Sequence, residues 1–442
     1  MIALIAASAI LFFMAVVVGL LLRRRNLHLW VAGYAGRALV PRPRRPVEGT
    51  DVYFCFADHF EPFWGGAGPD LARERVEKWV ERYPRAVGGF RDEEGRPPQH
   101  TFFYPEEEYD PALLESLAEL CRWGLGDVEI HLHHDRDTAE GLRRKLTRFK
   151  TVLHERHGLL KRNPDTGEIE YAFIHGNWAL ANSRRDGRWC GVDGELTVLK
   201  ETGCYADFTL PSAPDETQTS KINSLYFARD VPGKFKPHDG GRDAEAGYWD
   251  EKGLLIIQGP LALNWRSRKG GVLPRIESAE ISKDNPLSPS RVNLWARQSI
   301  QVKGRPDALF IKVHAHGTQE DNSEALFNGG EMKVLHRLLE EKFRPRNGYR
   351  LHYATARKMY DVIRGLCVGA RIQEPEASRT VAGISSLSAL RGSVLKPILS
   401  FSERGSDRRK KILSSVIPAR AGNSGARVRP GGEGEGFWEG LL

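Results

Sequence analysis

The chain has 442 residues, 40% hydrophobic and 28% charged, enough for a sizeable core and unlike a collagen-like or wholly disordered chain. Its five cysteines are scattered with no CxxC spacing, which argues against a disulfide scaffold and against a thiolate zinc site. The net charge of +8 sits in the ends, +7 over residues 1–47 and +6 over 377–442, so the middle carries −5 and a nucleic-acid-binding domain is not expected.

In chain order, residues 2–22 (IALIAASAILFFMAVVVGLLL) carry no charge and as a helix would cross roughly 30 Å of hydrocarbon. The run lacks a basic start and exceeds the apolar stretch of about 7–15 residues in a signal peptide, so a retained anchor is expected. Arg23–Arg25, with Arg37, Arg42, Arg44 and Arg45 behind them, predict a single-pass cell-membrane protein with a cytoplasmic domain; a periplasmic or extracellular domain is the alternative. Residues 1–25 thus read as a transmembrane anchor with its basic flank, and 26–49 as a basic Pro-rich linker.

From 50 to 366 short apolar runs alternate with amphipathic ones. Strands are predicted at 51–58, 100–104, 127–134, 171–176, 204–210, 254–258, 308–316 and 349–353. Helices are predicted at 69–83, 110–123, 136–157, 193–202, 322–343 and 354–366. This alternation predicts an α/β fold with βα units around a parallel sheet, a barrel or a doubly wound sheet. Residues 211–300, rich in Pro, Gly, Asp and Trp, read as a substrate-side insertion, and 367–442 as a disordered, basic tail.

The histidines carry the chemical signal. His59, His131, His133, His134, His175, His314 and His316 all fall at the C-terminal ends of predicted strands, where α/β barrels build active sites. Glu129, His131 and His133 share one face of their strand, and Lys312, His314 and His316 share one face of theirs. Asp58 closes the first strand. With one or two imidazoles and Asp137 it would suit zinc, iron, manganese or cobalt, leaving positions for an activated water.

At these residues the chain resembles the polysaccharide deacetylase family of metal-dependent carbohydrate esterases. The motifs are Cys55-Phe56-Ala57-Asp58, His100-Thr101-Phe102-Phe103, Glu129-Ile130-His131-Leu132-His133 with Asp137, His175-Gly176-Asn177-Trp178, Tyr205-Ala206-Asp207-Phe208 and Val313-His314-Ala315-His316. The resemblance covers roughly 50–366 and implies an incomplete (β/α)7-type barrel that binds a divalent transition metal, zinc first. It implies metal ligands among Asp58, His133, Asp137 and His131, a proton donor at His316 or His314, and a substrate-pocket wall of His175, Asn177, Trp178 and Asp207. The family's catalytic base is replaced by Ala57, so His59, Glu61 or Asp135 would have to serve.

The expected function is a membrane-anchored hydrolase removing an acyl group, N-acetyl first, from a sugar or polysaccharide precursor, with a carbohydrate as its partner and no nucleic acid. Two rivals stand beside it. One is a sugar-binding or scaffold subunit with altered catalysis; the other is a glycoside hydrolase using Asp58 and Asp207.

Overall fold

The computed structural model describes residues 12, 13, 16, 19, 20, 22–39 and 47–369. Its strands are β1 (Thr50–His59), β2 (His100–Pro105), β3 (Gly126–Leu132), β4 (Lys161–Arg162), β5 (Ile169–His175), β6 (Cys204–Asp207), β7 (Leu225–Ala228), β8 (Arg242–Asp243), β9 (Leu254–Ile257), β10 (Ala262–Lys269), β11 (Leu273–Glu277), β12 (Ala308–Ala315) and β13 (Tyr349–Tyr353). All eight predicted strands are present. The helix expected over 322–343 is two, Glu320–Phe327 and Glu331–Lys342: the first is capped at Asn328, and Gly330, at a positive φ of 77°, breaks the helical path and caps the start of the second.

Eleven strands form one sheet in the order β12-β1-β2-β3-β5-β6-β9-β7-β8, with β13 also on β1 and β4 also on β5. The strands from β12 to β9 run parallel to their neighbours, whereas β7 pairs antiparallel with both β9 and β8. The expected barrel of the deacetylase kind is therefore corrected to a mixed α/β fold on an open sheet. The physical reason lies in residues 211–300. Beyond the predicted strand that becomes β9, they supply β7 and β8, and these antiparallel strands take the edge that closure would need. The other edge is also covered: Phe310 N donates to Ile300 O (2.9 Å) and Ile281 N to His314 O (2.8 Å), both along β12.

The expected transmembrane anchor is corrected too. Among the described residues no helix is long and apolar enough to cross a membrane, so a single-pass placement loses its support. A span needs about 20 consecutive apolar helical residues, and most of 2–22 lies outside the described residues. Within the stretch read as a linker, Val31–Leu39 is a helix, and Trp30, fully buried, packs with Ala213, Ile222 and Leu261. Of the tail, residues 370–442 lie outside the described residues.

Where β1 and β13 run side by side, His352 sits between two carboxylates, 2.7 Å from Asp51 and 2.7 Å from Glu94. Burial pulls its pKa down, but the two acids outweigh that and lift it to about 9. A raised folded-state value means that stability is fully present below about pH 6.5 and is lost as pH rises through 9. Denaturant unfolding of wild type and His352→Gln across pH 6–10 should therefore converge at the alkaline end. The wild-type advantage near neutrality should be about 1.5–3 kcal/mol, the range for a hydrogen bond to a charged group. A gap independent of pH would rule the pairing out.

Candidate metal centre

Strand alternation decides which side chains meet. On β1, Cys55, Ala57 and His59 share a face, and Cys55 and Ala57 join the buried cluster that includes Phe103, Ile174 and Phe310. Asp58 points the other way. Its Oδ1 accepts from Gly317 N (2.7 Å), and its Oδ2 lies 3.1 Å from His100 Nε2. The expected ligand Asp58 is thus committed to the layer beneath, near Trp79 and His100, and the inward position falls one residue later at His59.

Glu61, two residues beyond, reaches the same side. Its Oε1 lies 2.9 Å from His131 Nε2 and 3.3 Å from His133 Nε2. Two triads share this carboxylate, His59–Glu61–His316 and Glu61–His131–His133, each with its donor atoms within 4.8 Å of one another. His59, His131 and Glu61 are buried, while His133 and His316 are partly exposed, so the cluster opens on their side. Glu107 binds His133 Nδ1 at 2.5 Å, the kind of outer carboxylate that fixes a metal-binding imidazole's tautomer.

The electrostatics follow from burial and from these contacts. Burial, with His316 and His131 adding to it, holds the His59 imidazole well below its ordinary pKa. Burial pushes Glu61 up, but hydrogen bonds from His131 and His133 outweigh it and hold the carboxylate well below its usual range. His133 is opposed by burial and still raised to about 10 by Glu107 and Glu61. Among the described residues neither ring nitrogen of His59 has a hydrogen-bond partner, nor has His131 Nδ1, although all three are buried. Unpaired buried imidazole nitrogens beside a carboxylate fit a metal ion: these buried His and Glu groups can hold one.

The other expected residues fall around this centre. His314 is buried next to it, its ring 6.1 Å from that of His59 and 5.5 Å from that of Trp178. Trp178, at a φ of 60°, also stands 4.7 Å from the His59 ring. Asp137 is drawn away by Lys145 Nζ (2.7 Å) and lies 3.5 Å from His134, not in the Glu61 group. His175 joins His134 in a separate buried group with Cys190 and Glu195. Asn177 donates to His134 O (3.3 Å), and Asp207 accepts from Thr209 Oγ1 (2.7 Å). Burial raises the Asp207 pKa to about 7. A cavity of about 250 Å³ lies elsewhere, by the start of β3 among Glu129, Glu170, Tyr205 and Arg357.

No protein-family description matches the chain, and no curated protein matches it. Among solved structures it is similar to an alpha-mannosidase from Enterococcus faecalis V583, at 8% identity and a TM-score of 0.37. That likeness covers 74% of this chain, which spans 30% of the mannosidase chain. It is too slight to carry an argument about chemistry.

Gly176 makes room for the cluster. A Cβ there would come 2.4 Å from His133 Cδ2 and 2.5 Å from its Nε2. Gly176→Ala should therefore push the His133 ring aside and weaken metal binding by about 10–100-fold, as losing an outer-shell support does. Metal titration of the stripped protein checks this; unchanged affinity would show that His133 is not a ligand.

Proposed function

We propose that the chain is a metal-dependent hydrolase that removes an acyl group, N-acetyl first, from a sugar, with Glu61, His131 and His133 holding the ion. The observation that carries this reading is the Glu61 carboxylate set between His131 and His133, with Glu107 behind His133 and the unpaired His59 alongside. The resemblance of its motif order to that of the polysaccharide deacetylases is what suggests the acyl-sugar substrate. Two imidazoles and a carboxylate suit zinc first. When bound, such an ion supplies Lewis-acid polarisation of the acyl carbonyl and a nucleophile at neutral pH.

The chain's own groups do the rest. Glu107 fixes the His133 tautomer, so that Nε2 faces Glu61. His316, partly exposed at the mouth, protonates the leaving amine. His59, kept neutral by burial and 4.6 Å ring to ring from His316, is placed to relay a proton. Trp178, also partly exposed, offers a face for a sugar ring. His314 lies deeper and packs against Trp178.

Acetate release from an N-acetylated glucosamine oligomer tests the reading. Activity should vanish in chelator and return with zinc, and His316→Ala should keep the metal while losing on the order of 10²–10⁴ in turnover. Hydrolysis that survives complete metal removal would overturn it. New reducing ends in place of acetate would point instead to glycosidic cleavage. For that chemistry Asp58 and Asp207 are poorly placed, since both are buried and already hydrogen-bonded.

A further inference from the structure

We propose that His134, Cys190, Glu195 and His175 form a second metal centre, a closed structural site for zinc, separate from the Glu61 cluster. The four donor atoms lie within 4.8 Å of one another and all four residues are buried. Tetrahedral zinc, with bonds of about 2.0–2.3 Å, sets its donors about 3.3–3.8 Å apart. Here Glu195 Oε1 lies 3.0 Å from His134 Nε2 and 3.8 Å from His175 Nε2, and Glu195 Oε2 lies 3.4 Å from Cys190 Sγ. The two distances from Oε1 fall on either side of the tetrahedral value, and the Cys190 thiol lies against the other oxygen of the same carboxylate. A mixed sulfur, nitrogen and oxygen set selects zinc over magnesium or calcium.

The surroundings support binding. Among the described residues His134 Nδ1 and His175 Nε2 are buried without a hydrogen-bond partner. His134 Nδ1 faces Asp137 at 3.5 Å, and Asp137 is itself held by Lys145, giving the carboxylate–imidazole–metal line seen behind zinc ligands. Ala181 N donates to Glu195 Oε2 (2.6 Å) and Val192 N to Cys190 Sγ (3.4 Å), which orients both anionic donors. Asn177 N–H lies 3.2 Å from His175 Nδ1, and that contact must open for Nε2 to present a lone pair. The assignment therefore rests on His134, Cys190 and Glu195, and His175 fills the fourth corner. Binding displaces the Cys190 thiol proton to solvent.

The backbone brings these groups together by close approach. Trp189 and Gly191 both take positive φ, 67° and 84°, and a Cβ on Gly191 would come 2.8 Å from Arg136 Cα. Asp137 N donates to Cys190 O at 2.9 Å. An ion here would clamp the ends of β3 and β5 to the start of the helix Glu195–Glu201, and so steady Gly176 and Trp178 beside the Glu61 cluster.

The Glu61 cluster contains no sulfur, so sulfur ligation reports on the second centre alone. The full-length protein, stripped and reloaded with Co²⁺, should show a thiolate-to-cobalt charge-transfer band in the near ultraviolet. Glu61→Gln should keep that band, whereas Cys190→Ser should lose it together with about one equivalent of metal. Should Cys190→Ser fail to fold, X-ray absorption of the zinc-loaded wild type decides, with a sulfur neighbour expected at about 2.3 Å. A band that persists in Cys190→Ser, or zinc-loaded protein with no sulfur neighbour, would overturn the proposal.

Discussion

Glu61→Gln is expected to empty the cluster it anchors, with metal affinity falling by more than the roughly 10–100-fold that loss of an outer-shell partner costs. Glutamine keeps the shape and removes the charge. Both triads use this one carboxylate, so both lose their anion together. His131 and His133 would then face a neutral amide, and His133 would keep only Glu107 as a counter-charge. Turnover on an acylated sugar should fall with metal content. Asp58→Asn is the contrasting variant. It should leave the metal in place and cost about 1–3 kcal/mol of stability, because it weakens buried bonds to Gly317 N and His100. Metal analysis of the two purified variants separates the outcomes. If Asp58→Asn loses the ion and Glu61→Gln retains it, the centre lies on the opposite face of β1.

Gly317→Ala is the second large effect, and it acts on the fold. A Cβ at this position would come 2.2 Å from Asp58 Oδ2 and 2.5 Å from Trp79 Cζ2. Neither neighbour can retreat. Asp58 is held by Gly317 N itself, and Trp79, fully buried, donates from Nε1 to Gly317 O at 2.8 Å. Overpacking of this kind costs about 1–3 kcal/mol or more. Because His316 is the preceding residue, turnover should fall along with the unfolding midpoint. An unchanged midpoint in denaturant would mean that the Gly317 segment yields freely and that Asp58 is no fixed anchor.

Much of the frame was legible because apolar alternation is a strong local signal. It marked β1, β2, β3, β5, β6, β9, β12 and β13, and it put His131 with His133 on one face. The same rule, applied to β1, turns Asp58 away and His59 inward; the motif likeness at Ala57-Asp58 pulled the assignment one residue short. Glu61 and Glu107 lie beyond the ends of β1 and β2, where no periodicity announces a direction. Cys190 was invisible for a related reason, since it meets His134 only through a turn with positive φ at Trp189. The open sheet was also hidden. Nothing in the composition of 211–300 distinguishes a loop from strands that pair antiparallel on a distant edge.

His133 and His134 are consecutive, yet one faces Glu61 and the other Glu195. That gives this stretch of chain no tolerance for a change in length. Deleting or inserting a single residue between His131 and His133 turns His133 and His134 to the other faces, and both sets of donors are broken in one event. The tip of the β10–β11 hairpin is the opposite case. Gly270, Gly271 and Val272 there are exposed, and among the described residues the two strands pair only with each other, so added residues should be absorbed without disturbing the sheet. A scan of single-residue insertions along the chain should therefore show a sharp trough at 131–134 and a plateau at 270–272.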